Sequence, residues 1–274
     1  MNIKDILIAL AVRDECDPAR DFALSMAKTF EAHVSAVGYA LTPLMPFSFY
    51  PAFIAQIANQ ASAEAKKAVE AARVRLEDAA KKFGLTCEFH NLSASVQTGA
   101  ADFAMRARTS DVAILTQHKP EELERVGDVF AEAALFQSGR PVILVPRGYS
   151  RPYSVERALI AWDGSIHATR AVAAAMPLLK GAEVKVFTVE ETPKGSDFRG
   201  NRLVEHLQRH GLDASIAQSS EPNIPEAILS EAELFKASLV VMGGYGHSRF
   251  REFMFGGATS LMLTNATVPV LMAH

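Results

Sequence analysis

The chain has 274 residues, 49% of them hydrophobic and 22% charged, which is the composition of a folded globular protein long enough for about two domains. A formal net charge of −3 leaves no broad positive field, so nucleic acid is disfavoured as a partner. Only two cysteines occur, Cys16 and Cys87, with neither CxxC nor zinc-type spacing, which argues against a disulfide framework and a structural metal and fits a reducing cytoplasm.

The opening run KDILIAL is a strand whose apolar core is too short for a signal or a membrane span. A helical pattern follows from Pro18 to Phe30, then the strand HVSAVGYA beginning at His33. The uncharged stretch from Val34 to Ala63 contains Pro43, Pro46 and Pro51, which would break a membrane helix, so no membrane association is expected. A long helix runs from Ala52 to Phe83 and stops at Gly84, a residue suited to a helix C-cap. The strand TCEFHNLS, another helix and the strand DVAILTQ complete the βαβ rhythm of a parallel sheet.

The same order then recurs. ILIALAV at Ile6 matches ALIAWDG at Ala158, DVAILTQH at Asp111 matches SLVVMGGY at Ser238, and RPVILVP at Arg140 matches VPVLMAH at Val268. The punctuation PRGYSRPYS sets the boundary at residue 150, giving domains at 1–150 and 151–274. The closing strand VPVLMAH is expected at a sheet edge, open to a partner strand.

The second copy carries the chemistry. A buried strand from Leu239 to Met242 runs into Gly243, Gly244 and Gly246, and Gly256 and Gly257 follow at the start of an apolar helical pattern. Such glycines let the main chain approach a ligand, and an open helix N-terminus presents N–H groups to phosphate. Neither a Walker loop nor a dinucleotide fingerprint is present, since Arg249 stands where the third glycine of the latter belongs. Asp163 lies just beyond the first strand of this copy, where it can accept from a ribose hydroxyl or base amino group, or simply cap the next helix. The main chain at Val189, ending the second strand, faces the same crevice and can pair with an adenine edge.

The tandem repeat, the aspartate after strand one and the G-x2-G-x9-G spacing resemble the universal stress protein family in its tandem form. The resemblance implies two flavodoxin-like three-layer α/β domains of the adenine-nucleotide-hydrolase type. It also implies a cytoplasmic stress-response protein with ATP, ADP or AMP, with or without magnesium, in the second domain. The implied ligand residues are Ala161, Trp162, Asp163, Val189, Gly243, Gly246, His247, Gly256, Gly257, Ala258 and Thr259. Gly257 stands where the family carries a serine or threonine, which removes one hydroxyl ligand. Association through the closing strands, within one chain or in a homodimer, is implied as well. No general base is identifiable, so no catalysis is assigned beyond at most slow hydrolysis.

The first copy has Ala11, Thr116 and Lys119 where the second has Asp163, Gly243 and Gly246, and offers only Gly127 and Asp128 near the second glycine pair. It is expected to bind no nucleotide. Its distinctive feature is the uncharged insertion bearing Phe47, Phe49, Tyr50 and Phe53, a candidate surface for an unidentified protein partner or packing for its own sheet. A scaffold that acts through that insertion and binds no nucleotide is therefore the alternative reading. His206 and His210, spaced i, i+4, are read as favourable to the helix dipole before Gly211, and no metal site is assigned.

Overall fold

A computed structural model describes residues 2–41, 51–117, 126–189, 197–244, 262 and 264–274, with side chains omitted at 51–57 and 197–199. The chain divides into two compact units. One comprises Ile3–Arg140 with Ser150–Tyr153, and the other Pro141–Tyr149 with Ser154–His274 and the first two residues.

The N-terminal unit is built on four parallel strands, β1 (Asp5–Ala9), β2 (His33–Leu41), β3 (Glu88–Ala94) and β4 (Val112–Thr116), in the order β3-β2-β1-β4. Ile6, Leu7 and Ile8 of β1 are all buried, as a parallel strand covered on both faces requires. Helix α1 (Pro18–Phe30) opens on Asp17 as N-cap with Pro18 at its first position, and it closes on Glu31 in the left-handed conformation. Helix α2 (Pro51–Phe83) ends as expected at Gly84, whose φ of +71° and following Leu85 N–H to Ala80 C=O bond complete a tight cap. Helix α3 (Val96–Ala107) packs against α4 (Val126–Gln137), while α1 packs against α2, one pair covering each face of the sheet. Phe130 lies between the rings of Tyr39 and Phe103, and the Tyr39 hydroxyl donates to Asp102 at 2.8 Å.

The C-terminal unit contains β5 (Val142–Val145), β6 (Arg157–Ala161), β7 (Glu183–Val189), β8 (Asp213–Ser219), β9 (Leu239–Gly243) and β10 (Val270–Ala273), ordered β5-β10-β9-β6-β7-β8. All neighbours are parallel except β5 and β10. The strand β10 is therefore not at an edge. It lies between β9 and β5, with Leu271 paired to Ile143, so an earlier segment of the same chain occupies the side that the sequence left open. Leu271 and Met272 are buried accordingly, because a strand flanked on both sides can be apolar throughout. Helices α5 (Ile166–Ala175), α6 (Asp197–Arg209) and α7 (Ile224–Leu234) complete the unit as described. Among the described residues no helix is long and apolar enough to cross a membrane.

Strand β6 has the later strand β9 on one side and the next strand β7 on the other, so the chain leaves its first strand in opposite directions. That reversal opens a crevice outside the carboxyl ends of β6 and β9, the usual ligand position in an open α/β sheet.

Candidate functional site in the C-terminal unit

The residues after β6 lie at this edge of the sheet. Ala161 pairs with Phe187 and Met242 on the two flanking strands, and the Trp162 N–H donates to the Phe187 carbonyl at 2.8 Å. The chain then turns at Gly164, whose φ of +76° is the left-handed conformation that glycine adopts without strain. Asp163 is exposed, and its Oδ1 accepts from the Ser165 N–H at 2.9 Å. The helix cap belongs to Ser165, whose Oγ accepts from the Ala168 N–H at 3.0 Å. Of the two roles that the sequence left open for Asp163, ligand contact and capping α5, the cap is taken by another residue.

Val189 ends β7 opposite Ser219. Bonding direction alternates along a strand, so a residue two beyond Phe187 turns its amide and carbonyl toward the β6 side, where β6 has already ended. Those main-chain groups face the crevice.

Gly243 has a packing role that the sequence did not reveal. A Cβ there would stand 2.6 Å from the Ala168 amide nitrogen and 2.9 Å from the His167 carbonyl carbon. The missing side chain lets the first turn of α5 close on the end of β9 and brings its N-terminus to the crevice. Gly244 follows with its N–H donating to the Ala273 carbonyl at 2.8 Å. The remaining expected ligand residues, Gly246, His247, Gly256, Gly257, Ala258 and Thr259, lie outside the described residues, as do Lys119 and the insertion aromatics Phe47, Phe49 and Tyr50. Phe53 is described in its backbone only.

Sequence reasoning passed over three further features of this edge. The His167 and His274 rings stack with centroids 4.1 Å apart and an angle of 25°. Burial, and then the neighbouring His167 and Arg170, push the His274 pKa down. The Trp162 Nε1 and Thr188 Oγ1 atoms are buried without a hydrogen-bond partner, as is His167 Nδ1.

The corresponding edge of the N-terminal unit is occupied by the protein's own carboxylate. Asp17 is 3% exposed, and its Oδ2 accepts from the Ala11 N–H at 2.8 Å. Its Oδ1 accepts from the Arg20 N–H and the Thr116 hydroxyl, each at 3.1 Å, and Thr116 Oγ1 in turn accepts from the Ala19 N–H at 3.3 Å. Burial raises the Asp17 pKa against the opposing pull of these bonds. Asp128, on the first turn of α4, is also buried.

At the end of α6, the rings of His206 and of His210, the residue just beyond the helix, meet edge to face with centroids 4.7 Å apart before Gly211, whose φ is +77°. Among the described residues no group of three or more histidine, cysteine or carboxylate side chains is placed to hold a metal.

Comparison with known proteins agrees with this architecture. A sequence model described as the universal stress protein family matches residues 154–274. A universal stress protein of Synechocystis sp. is 25% identical over 136 residues, which cover 48% of this chain and 46% of that protein, so the match spans less than half of the relative's length. Among solved structures, a universal stress protein from Archaeoglobus fulgidus DSM 4304 superposes with a TM-score of 0.65 at 19% identity, covering 99% of this chain and 96% of its own. A protein of unknown function from Pseudomonas aeruginosa PAO1 gives a TM-score of 0.61 at 14% identity, covering 98% and 92%. At these identities the structural likeness speaks for the fold.

Proposed function

We propose, from the premise that residues 154–274 make this chain a member of the universal stress protein family, that its C-terminal repeat binds an adenine nucleotide and its N-terminal repeat does not. The observation that carries the reading is the contrast between two equivalent sheet edges. In the C-terminal unit Asp163 is exposed and relieved of helix capping by Ser165. In the N-terminal unit Ala11 replaces that aspartate, and the buried Asp17 carboxylate occupies the α1 N-terminus. Asp128, buried in the first turn of α4 near the place of the second glycine pair, adds a carboxylate where the other repeat would hold phosphate, and like charges repel.

Within this reading the boundary between repeats falls at residue 150, and ATP, ADP or AMP, with or without magnesium, is the ligand. Asp163 accepts from the sugar or base, and the Val189 main chain pairs with the adenine edge. Gly243, Gly246 and the Gly256–Thr259 segment surround the phosphates, with His247 beside them. The role is nucleotide-dependent signalling in a cytoplasmic stress response, with no catalytic residue assigned.

The test is mass spectrometry of small molecules released on denaturing freshly purified protein. The reading expects adenine nucleotide from the wild type and none from a folded Asp163→Ala variant. Equal yields from the two, or no nucleotide from either together with no thermal shift on adding ATP, would refute it.

A further inference from the structure

Two imidazoles meet beside the glycines that end β9. A Cβ on Gly243 would lie 3.0 Å from the His167 Cβ, so His167 is packed against the first of them. His274 follows Ala273, whose carbonyl accepts from the Gly244 N–H at 2.8 Å, so the second histidine is tied to the next. The two rings stack with centroids 4.1 Å apart and an angle of 25°. Positive charges at that separation repel, so a second proton on the stack is costly. His167 is the poorer holder of the first, because its Nδ1 is buried without a partner and a charged ring there would leave an N–H unsatisfied. His274 is half-buried and keeps contact with solvent. Burial, and then His167 and Arg170 of α5, hold its pKa below the ordinary 6.5, so at neutral pH it is uncharged. The other elements beside it bring no charge, since β9 ends in Gly243 and Gly244 and the residues of β5 paired with β10 are apolar. Asp163 lies on the far side of β9, after β6.

We propose that the His167–His274 stack links nucleotide binding to proton uptake: a phosphate arriving at Gly243 and Gly244 draws one proton from solvent onto His274, so mildly acidic pH strengthens binding of the nucleotide but not of the nucleoside. This rests on the nucleotide reading of the same crevice. An anion close to an imidazole favours its charged form, and by reciprocity the charged form favours the anion by the same factor. His274 titrates, and His167 positions its ring and keeps it neutral in the absence of phosphate. A histidine is suited to this linkage because its charge changes within the range that cells traverse.

The experiment is calorimetric titration of the full chain with AMP and with adenosine at about pH 6 and about pH 8, each in two buffers of unlike ionisation enthalpy, so that protons are counted along with affinity. The AMP phosphate itself titrates near a pKa of about 6, so the quantity read is the difference from His274→Asn, in which that contribution is unchanged. At about pH 6 the wild type should take up roughly half a proton more per AMP than the variant, and its affinity advantage over the variant should be about fivefold larger than at about pH 8. Adenosine should show neither difference. Arg170→Ala, which removes a neighbouring positive charge, should move the extra uptake to higher pH. Equal uptake by wild type and His274→Asn with AMP, or the same excess with adenosine, would overturn the proposal while leaving nucleotide binding intact. Absence of AMP binding by the wild type at both pH values would overturn both readings.

Discussion

Thr116 donates its hydroxyl to the buried carboxylate of Asp17 across 3.1 Å, joining the end of β4 to the N-terminus of α1. In the C-terminal repeat the residue at the same point of the pattern is Gly243, where the absence of a side chain lets the first turn of α5 approach the strand closely. One repeat thus joins strand to helix through a side-chain hydrogen bond, and the other through the close approach that a glycine permits.

Asp17→Ala should be among the most destabilising substitutions in the N-terminal unit. It removes a helix cap and strands the Ala11 and Arg20 amides and the Thr116 hydroxyl, at a cost of about 2–4 kcal/mol. Thr116→Val should cost about 1 kcal/mol. Chemical denaturation of the purified variants checks both values. Nucleotide binding, measured below the unfolding transition, should not change if the proposed site in the other unit is the one that binds.

The pH dependence of Asp17 has a definite sign. Its pKa in the fold is raised above the ordinary 3.8, so the folded state holds this proton more tightly than the unfolded chain does. Its contribution to stability should therefore decrease as pH climbs from about 3.8 through the raised value. Denaturation midpoints of wild type and Asp17→Asn, compared across mildly acidic pH, should show the wild type losing ground to the variant as pH increases.

Ser165 and Asp163 should separate stability from binding. Ser165→Ala loses the α5 cap and should cost about 1 kcal/mol. Asp163→Ala removes an exposed carboxylate with a single local bond and should shift stability by less than about 0.5 kcal/mol while weakening nucleotide binding at least tenfold. Thermal melts alongside binding isotherms would reveal an inverse pattern if Asp163 were only structural.

Gly243→Ala should fail on both counts. A Cβ 2.6 Å from the Ala168 nitrogen must push α5 off β9, at a cost of about 1–3 kcal/mol, and the displaced first turn should distort the crevice. A lower melting temperature together with weaker nucleotide binding is expected. An unchanged melting temperature would show that α5 is not held against this glycine.

Thr188→Val offers the opposite signature. Replacing an unpartnered buried hydroxyl with a methyl of similar shape should leave stability unchanged or raise it by up to about 1 kcal/mol. A loss of more than that would mean that the hydroxyl has a structural partner.

Much of this fold could be read from the chain. Pro18 opens α1, Gly84 closes α2, and the recurrence of ILIALAV as ALIAWDG announces two repeats, because turns and apolar periodicity are local properties. Strand neighbours are not local. The apolar pattern of VPVLMAH identifies a strand but contains nothing to say that Val142–Val145 flanks it. The glycine at 243 was legible as a point of close approach, whereas its contact, the first turn of α5, is set by a crossover dozens of residues away. Asp163 was correctly placed beyond β6, and only the geometry of Ser165 decides which of the two caps the helix. Asp17 attracted no attention because its partners Ala11 and Thr116 carry no motif.

Trp162 is the single tryptophan of the chain and stands in the candidate crevice, so its emission reports on this site alone. Fluorescence titration of the intact protein with ATP and AMP is the most direct measurement of the central claim. A saturable change reaching its end point at one nucleotide per chain, and absent from Asp163→Ala, is the predicted result. A flat titration with both nucleotides, or an unaltered curve in Asp163→Ala, would contradict it.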